Sequence, residues 1–165
     1  MNPATIAFVG LGGNVGDAAA TLREALAALD GLPETRVLRA SPLYRTPAWG
    51  HVDQPDFINA VAKLETGLDP RALLDALLDV ERQFGRDRQE DDARWGPRTL
   101  DLDLLLFGEA VIDEPGLRVP HPHLHERAFA LVPLAAIAPG ATIPGHGTVR
   151  SALAAVVADG IEALP

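Results

Sequence analysis

Asp101 and Asp103 stand one residue apart in residues 94–108, RWGPRTLDLDLLLFG. Aspartate is a poor strand former and is rarely buried unpaired, so two of them in a core-bound run need a reason. Residues two apart on a strand point the same way, with Cα atoms ~6.5–7 Å apart, so the carboxylates share a face. At about 6 Å they repel by roughly 3 kcal/mol if the effective dielectric is ~20. A cation, flanking arginines or water would offset that. All-oxygen ligands suit Mg²⁺, which is often held by one or two carboxylates plus substrate phosphates. The pattern therefore points to metal-assisted handling of a phosphate chain. The alternative is a strand end in solvent with Arg98 as an ion-pair partner. Leu105 and Phe107 continue the aspartate face, which argues against full exposure, and Leu100, Leu102, Leu104 and Leu106 are expected on the opposite, packed face.

Arg86, Arg88, Arg94 and Arg98 cluster just before this run. Arginine forks onto phosphate with two parallel hydrogen bonds. The same arginines could instead pair with Asp87, Glu90, Asp91 and Asp92 in a solvated loop. Phe57 and Asn59 are two apart in a second apolar run, where a ring could stack on a flat heterocycle while a carboxamide pairs with its polar edge. They also suit a core phenylalanine and a turn-facing asparagine. HPHLH at 121–125 offers three alternating histidines. A zinc site is conceivable there, but Pro120 and Pro122 prevent a regular strand, so one ligand-facing histidine is expected. GLGGNVGD at 10–17 has Val15 where a dinucleotide fingerprint needs its third glycine, and it reads as a tight strand-to-helix turn.

These residues need a scaffold, and apolar periodicity supplies one. Residues 4–11 read as a buried strand. Residues 17–30 read as a helix with Leu22, Ala25, Leu26 and Leu29 on one stripe, capped by Asp17 and stopped at Gly31 and Pro33. Residues 35–46 read as a strand made irregular by Pro42, and 57–66 as an alternating strand. Asp69-Pro70 opens a helix that runs to about Phe84. A charged loop over 86–97 leads into the DLD strand, and a proline-rich segment follows. Helices are expected over 126–137 and 149–164. The strand–helix–strand–strand–helix–strand order predicts an α+β, ferredoxin-like βαββαβ core with an antiparallel sheet and extra C-terminal helices.

The chain has 165 residues, enough for one domain over 1–165 with a real core. Its formal net charge of −9 makes nucleic acid or an anionic membrane a poor partner. It has no cysteine, which excludes disulfides and thiolate metal sites and suits the cytoplasm. No signal peptide or membrane-length apolar run is present, so a soluble protein is expected, without membrane association.

GGNVGD, SPLYRTPAWG, QPDFINAV, ERQFGR, RWGPRTLDLDLLLFG and VPHPHLHERAFALVPL occur in this order. Together they resemble 6-hydroxymethyl-7,8-dihydropterin pyrophosphokinase, a family of folate biosynthesis, over roughly residues 5–139. The last two motifs are the specific ones. The resemblance implies a ferredoxin-like core whose loops close over the substrates, and transfer of pyrophosphate from ATP to the pterin hydroxymethyl oxygen with release of AMP. It implies two Mg²⁺ ions bound with ATP, held by Asp101 and Asp103. It assigns Arg86 and Arg98 to catalysis on the phosphates. Arg88, Arg98, Leu104, His121 and Arg127 fall to ATP, and Thr46, Pro47, Phe57, Asn59, Trp95 and Phe129 to the pterin. Asn59 would bond the pterin edge while Phe57 and Phe129 sandwich its ring. The expected partners are these two small molecules, and the expected state is a monomer. Ala48-Trp49-Gly50, Gly12-Gly13-Asn14 and a longer 88–95 segment depart from commoner family patterns and leave the chemistry intact. A different DxD transferase would release pyrophosphate or a nucleoside diphosphate instead, and a nucleotide sensor would not turn ATP over.

Overall fold

The computed structural model describes residues 4–47, 55–85 and 99–165. The chain runs β1 (Thr5–Gly13), α1 (Ala18–Asp30), β2 (Thr35–Ala40), β3 (Tyr44–Thr46), β4 (Phe57–Thr66), α2 (Pro70–Gln83) and β5 (Asp101–Phe107). It continues through β6 (Ile112–Glu114), β7 (Leu117–Val119), a 3₁₀ turn (Leu124–Glu126), α3 (Ala128–Ile137), β8 (Thr142–Ile143), β9 (Gly147–Thr148), α4 (Val149–Ala154) and β10 (Glu162–Ala163). The main sheet has the order β10-β3-β4-β1-β5, with β2 also paired to β4, and its pairs are antiparallel. Among the described residues no helix is long and apolar enough to cross a membrane.

Local chemistry explains the helix starts. Asp17 accepts the Ala20 N–H at 3.1 Å, and Asp69 accepts the Ala72 N–H at 2.8 Å. A carboxylate there satisfies one of the donors that the first turn cannot use. Pro70, with no N–H to lose, fits the first helical position. Leu22 and Leu29 of α1 and Leu73 and Leu77 of α2 are buried against Val9, Leu11 and Leu64 on one sheet face. Leu131 and Leu134 of α3 and Val149 of α4 pack with Phe8, Val61 and Leu105 on the other. Each such side chain contributes about 1.5–3 kcal/mol when fully buried.

The expected strand over 35–46 is two strands. β2 pairs along β4 from Thr35↔Thr66 to Ala40↔Ala62, and β3 from Tyr44↔Asn59 to Thr46↔Phe57. Pro42 has no N–H for a ladder. Ser41 bridges the gap: its N–H donates to the Val61 carbonyl, and its Oγ accepts the Val61 N–H, both at 2.9 Å.

The expected face assignment on β5 also changes partway along. Phe8 pairs with Leu106 and Val9 with Leu104, leaving Leu105 as the extra residue of a bulge. Past it the alternation flips. Leu106 joins Leu105 in the α3 cluster, and Phe107 joins Leu102 and Leu104 in the α1/α2 cluster. Simple period-two counting fails at such an insertion.

Three further expectations are corrected. β1 continues through Gly12 and Gly13 instead of turning at Gly12. The helix expected from residue 126 begins as a 3₁₀ turn, with α3 proper starting at Ala128. The tail over 149–164 is not one helix: α4 stops at Ala154, Gly160 takes φ +84°, and β10 returns to the sheet. The proline-rich segment contains the β6–β7 hairpin, which turns through Gly116 at φ +77°.

Candidate active site

Direct cross-strand partners in an antiparallel pair stand on the same face. Asp101 is opposite Gly12, Gly12 opposite Asn59, and Asn59 opposite Tyr44. Asp103 is opposite Gly10, and Phe57 is opposite Thr46. Asp101, Asp103, Asn59, Phe57 and Thr46 therefore share one face across four strands. The two glycines of β1 form its floor. A Cβ at position 12 would lie 2.8 Å from Asn59 Oδ1, so only glycine leaves the carboxamide in place. Asn59 is buried, and its Nδ2 donates to Thr46 Oγ1 at 2.9 Å. That bond sets the amide orientation and leaves Oδ1 beside Gly12.

The other side of the site follows β5, which among the described residues forms one edge of the main sheet. Edge strands carry outward backbone groups that need partners. The Leu102 N–H, between the two aspartates, donates to Glu81 Oε2 at 2.7 Å. Glu81 lies on α2 and is 2% exposed. The Leu105 carbonyl accepts the His121 N–H at 2.9 Å. Alongside opens a cleft of about 470 Å³, lined by Leu74 and Leu78 of α2, Asp103 and Leu104 of β5, Gly116 and Arg118 of the hairpin, and His121. An exposed ion pair at 3.1 Å joins Arg118 to Asp113.

Burial, with help from the neighbouring Arg127 and His123 charges, lowers the His121 pKa to about 4, against an opposing pull from Asp101. The ring is thus neutral near pH 7. Its Nδ1 accepts the His123 N–H at 3.3 Å, which places the ring proton on Nε2. Arg127 precedes α3, and its guanidinium carbon lies 5.6 Å from the centroid of the Phe129 ring, within cation–π range. His125 turns away and stacks on His146 at 3.7 Å. Among the described residues no three His, Asp or Glu side chains could hold a metal ion together. Asp101 and Asp103 offer hard oxygen donors from one side only, which fits a cation that takes its remaining ligands from a bound phosphate chain.

The family model of 7,8-dihydro-6-hydroxymethylpterin-pyrophosphokinase (HPPK) matches residues 8–139. The chain belongs to this family. It is similar to the 2-amino-4-hydroxy-6-hydroxymethyldihydropteridine pyrophosphokinase of Pseudomonas aeruginosa, at 49% identity over 158 residues, covering 96% of each chain. The enzyme of that name from Methylorubrum extorquens is 46% identical and covers 96% of this chain and 98% of its own. Among solved structures, the Plasmodium falciparum HPPK-DHPS triple mutant with SDX-DHP superposes with a TM-score of 0.72 at 16% identity. That match covers 93% of this chain and 44% of the longer Plasmodium chain, and it shows the fold.

Of the residues that the family resemblance singled out, the structure brings Asp101, Asp103, Thr46, Phe57 and Asn59 onto one face. Leu104 and His121 line the edge cleft beside Asp103. Pro47 directly follows β3, and Phe129 lies in the first turn of α3, which packs over β4 and β3. Arg86, Arg88, Trp95 and Arg98 lie outside the described residues. Sequence reasoning missed Glu81, Arg118 and the glycine floor. Glu81 had a signal: it falls four residues after Leu77 and eight after Leu73, on the apolar stripe of α2. Asn14 was missed too; it is buried and donates to the Pro55 carbonyl at 3.2 Å, tying the β1–α1 turn to the approach of β4.

Proposed function

We propose that this chain transfers the terminal pyrophosphoryl group of ATP to the hydroxymethyl oxygen of 6-hydroxymethyl-7,8-dihydropterin, releasing AMP, in folate biosynthesis, with Mg²⁺ held at Asp101 and Asp103. The observation that carries the reading is the shared face. A buried carboxamide and an aromatic ring stand across a glycine floor from two carboxylates. That arrangement suits a flat polar heterocycle meeting a phosphate chain.

The pterin would lie over β4, with Asn59 Oδ1 accepting from its polar edge. Phe57 and Phe129 would hold the two ring faces, and Thr46, Pro47 and Trp95 the surround. Thr46 anchors Asn59, so the carboxamide meets the ring already oriented. ATP would lie along β5, with Leu104 against its apolar surface. The neutral His121 would offer Nε2–H as a donor, and Arg88 and Arg127 would supply positive charge.

The hydroxymethyl oxygen attacks the β-phosphorus, the bond from that phosphorus to the α,β-bridging oxygen breaks so that this oxygen leaves with AMP, and the hydroxyl proton passes to solvent. The protein's work is alignment and charge neutralisation. Arg86 and Arg98 would take up charge as AMP leaves, as cationic groups do in other phosphoryl transfers. Two Mg²⁺ ions, bound with ATP, would supply Lewis-acid neutralisation of the phosphate oxygens. Asp101 and Asp103 would orient that charge from the floor of the site.

We also read the order β2/β3-β4-β1-β5 as the ferredoxin-like arrangement, and residues 1–165 as one domain. The net charge of −9 and the lack of cysteine fit a cytoplasmic enzyme acting on small molecules. Incubation of the purified chain with ATP, Mg²⁺ and the pterin should give AMP and pterin diphosphate in equal amounts, and none without the pterin. Release of ADP or free pyrophosphate would contradict the assignment.

A further inference from the structure

β3 is three residues long, yet Thr46 at its end and Pro47 just past it belong to the pterin side of the site. So short a strand at a sheet edge would hold its position poorly. It is not at the edge. β10 pairs along its outer side, Glu162 with Arg45 and Ala163 with Tyr44. The Leu164 N–H extends the ladder by donating to the Leu43 carbonyl at 2.8 Å, and the Leu164 side chain packs on the α1/α2 core. At the other end of β10, Gly160 sits at φ +84°, and a Cβ there would lie 3.2 Å from Pro47 Cγ. The backbone of residue 160 thus rests directly against the ring of Pro47.

We propose that β10 is a positioning element for the pterin side of the site. By pairing with β3 and setting Gly160 against Pro47, it holds Thr46 and Pro47 in register. Through the Thr46 hydroxyl it fixes the Asn59 carboxamide. The inference rests on the assignment of Thr46, Pro47 and Asn59 to the pterin. β10 carries no residue of the proposed chemistry. Four strand spacings separate it from β5, roughly 19 Å across the sheet. A disturbance at β10 therefore reaches the pterin side first and leaves the nucleotide edge in place.

The test uses the full-length chain carrying Gly160→Ala, which presses a methyl group on Pro47, or Leu164→Pro, which deletes the N–H bonded to Leu43. Leu164→Ala keeps that N–H and removes only side-chain packing. Each is titrated with 6-hydroxymethylpterin by fluorescence, and separately with a non-hydrolysable ATP analogue and Mg²⁺. Gly160→Ala and Leu164→Pro should each weaken pterin binding by about tenfold while nucleotide affinity stays within about twofold. The KM for pterin should rise and that for ATP should not. Leu164→Ala should bind pterin almost as the parent does. Unchanged pterin affinity in both disruptive variants would overturn the proposal. So would pterin and nucleotide affinities falling together with thermal stability, the mark of a merely structural strand. A parent chain that binds no pterin would instead strike the functional assignment itself.

Discussion

The proposed pterin side of the site lies in the middle of the sheet, where β4 has hydrogen-bonded neighbours on both flanks. The proposed nucleotide side runs along β5, which among the described residues has a sheet neighbour on one flank. In the middle, the ladders satisfy the backbone, and side chains such as Asn59 and Thr46 are left to bond one another. At the edge, outward backbone groups take non-strand partners: Glu81 for the Leu102 N–H, and the His121 N–H for the Leu105 carbonyl. The difference suggests a division of labour. On the proposed function, the interior half would be preset for a rigid, flat substrate and the edge half open to a long, charged one.

Substitutions should separate the halves. The largest effect is expected at the carboxylates. Asp101→Ala or Asp103→Ala should lower turnover by roughly 10³-fold with the fold retained, because charge stabilisation at the phosphates is lost. Circular dichroism and a turnover assay on the purified variants check this, and near-normal turnover would refute it. Next comes the interior half. Asn59→Leu removes the carboxamide while keeping the volume similar, and should weaken pterin binding by about 10- to 100-fold with little change for ATP. Parallel losses for both ligands would show that the halves are not separable.

At the edge, Glu81→Ala leaves the buried Leu102 N–H without this acceptor and should cost about 2–3 kcal/mol of stability. Glu81→Gln keeps an acceptor oxygen and should cost less. Urea unfolding of both variants checks the ranking. The smallest effect concerns acid. In the folded chain burial lowers the His121 pKa to about 4, from an ordinary histidine value of 6.5. Between these values the unfolded chain binds a proton that the folded chain refuses. Stability therefore falls as pH drops through that window, is fully present above it, and stops falling on this account below about 4. The contribution is on the order of 1 kcal/mol once solvent access is allowed for. His121→Gln should flatten that part of the ligand-free stability profile. A profile parallel to the parent's would remove His121 as the cause.

Much of this architecture is legible in periodicity and capping. Asp17 and Asp69 mark helix starts, and the alternation of residues 57–66 marks β4. The DLD pair announces both a strand and a face. What stayed hidden depends on contacts distant in sequence. The β5 bulge is set by pairing with Phe8 and Val9, which no local pattern records. The alanine-rich tail has helical propensity, yet Gly160 and pairing with β3 turn its end into a strand. The role of Gly12 shows only when Asn59, far along the chain, is placed against it. Glu81 reads as an ordinary surface charge unless its place on the apolar stripe is weighed.

The most direct measurement is calorimetric titration of a non-hydrolysable ATP analogue into the parent chain and the Asp101→Asn/Asp103→Asn double variant, each with Mg²⁺ and with a chelator. Mg²⁺ should tighten nucleotide binding to the parent strongly and to the double variant hardly at all. An equal Mg²⁺ dependence in both would mean that the two carboxylates do not hold the ion with the triphosphate.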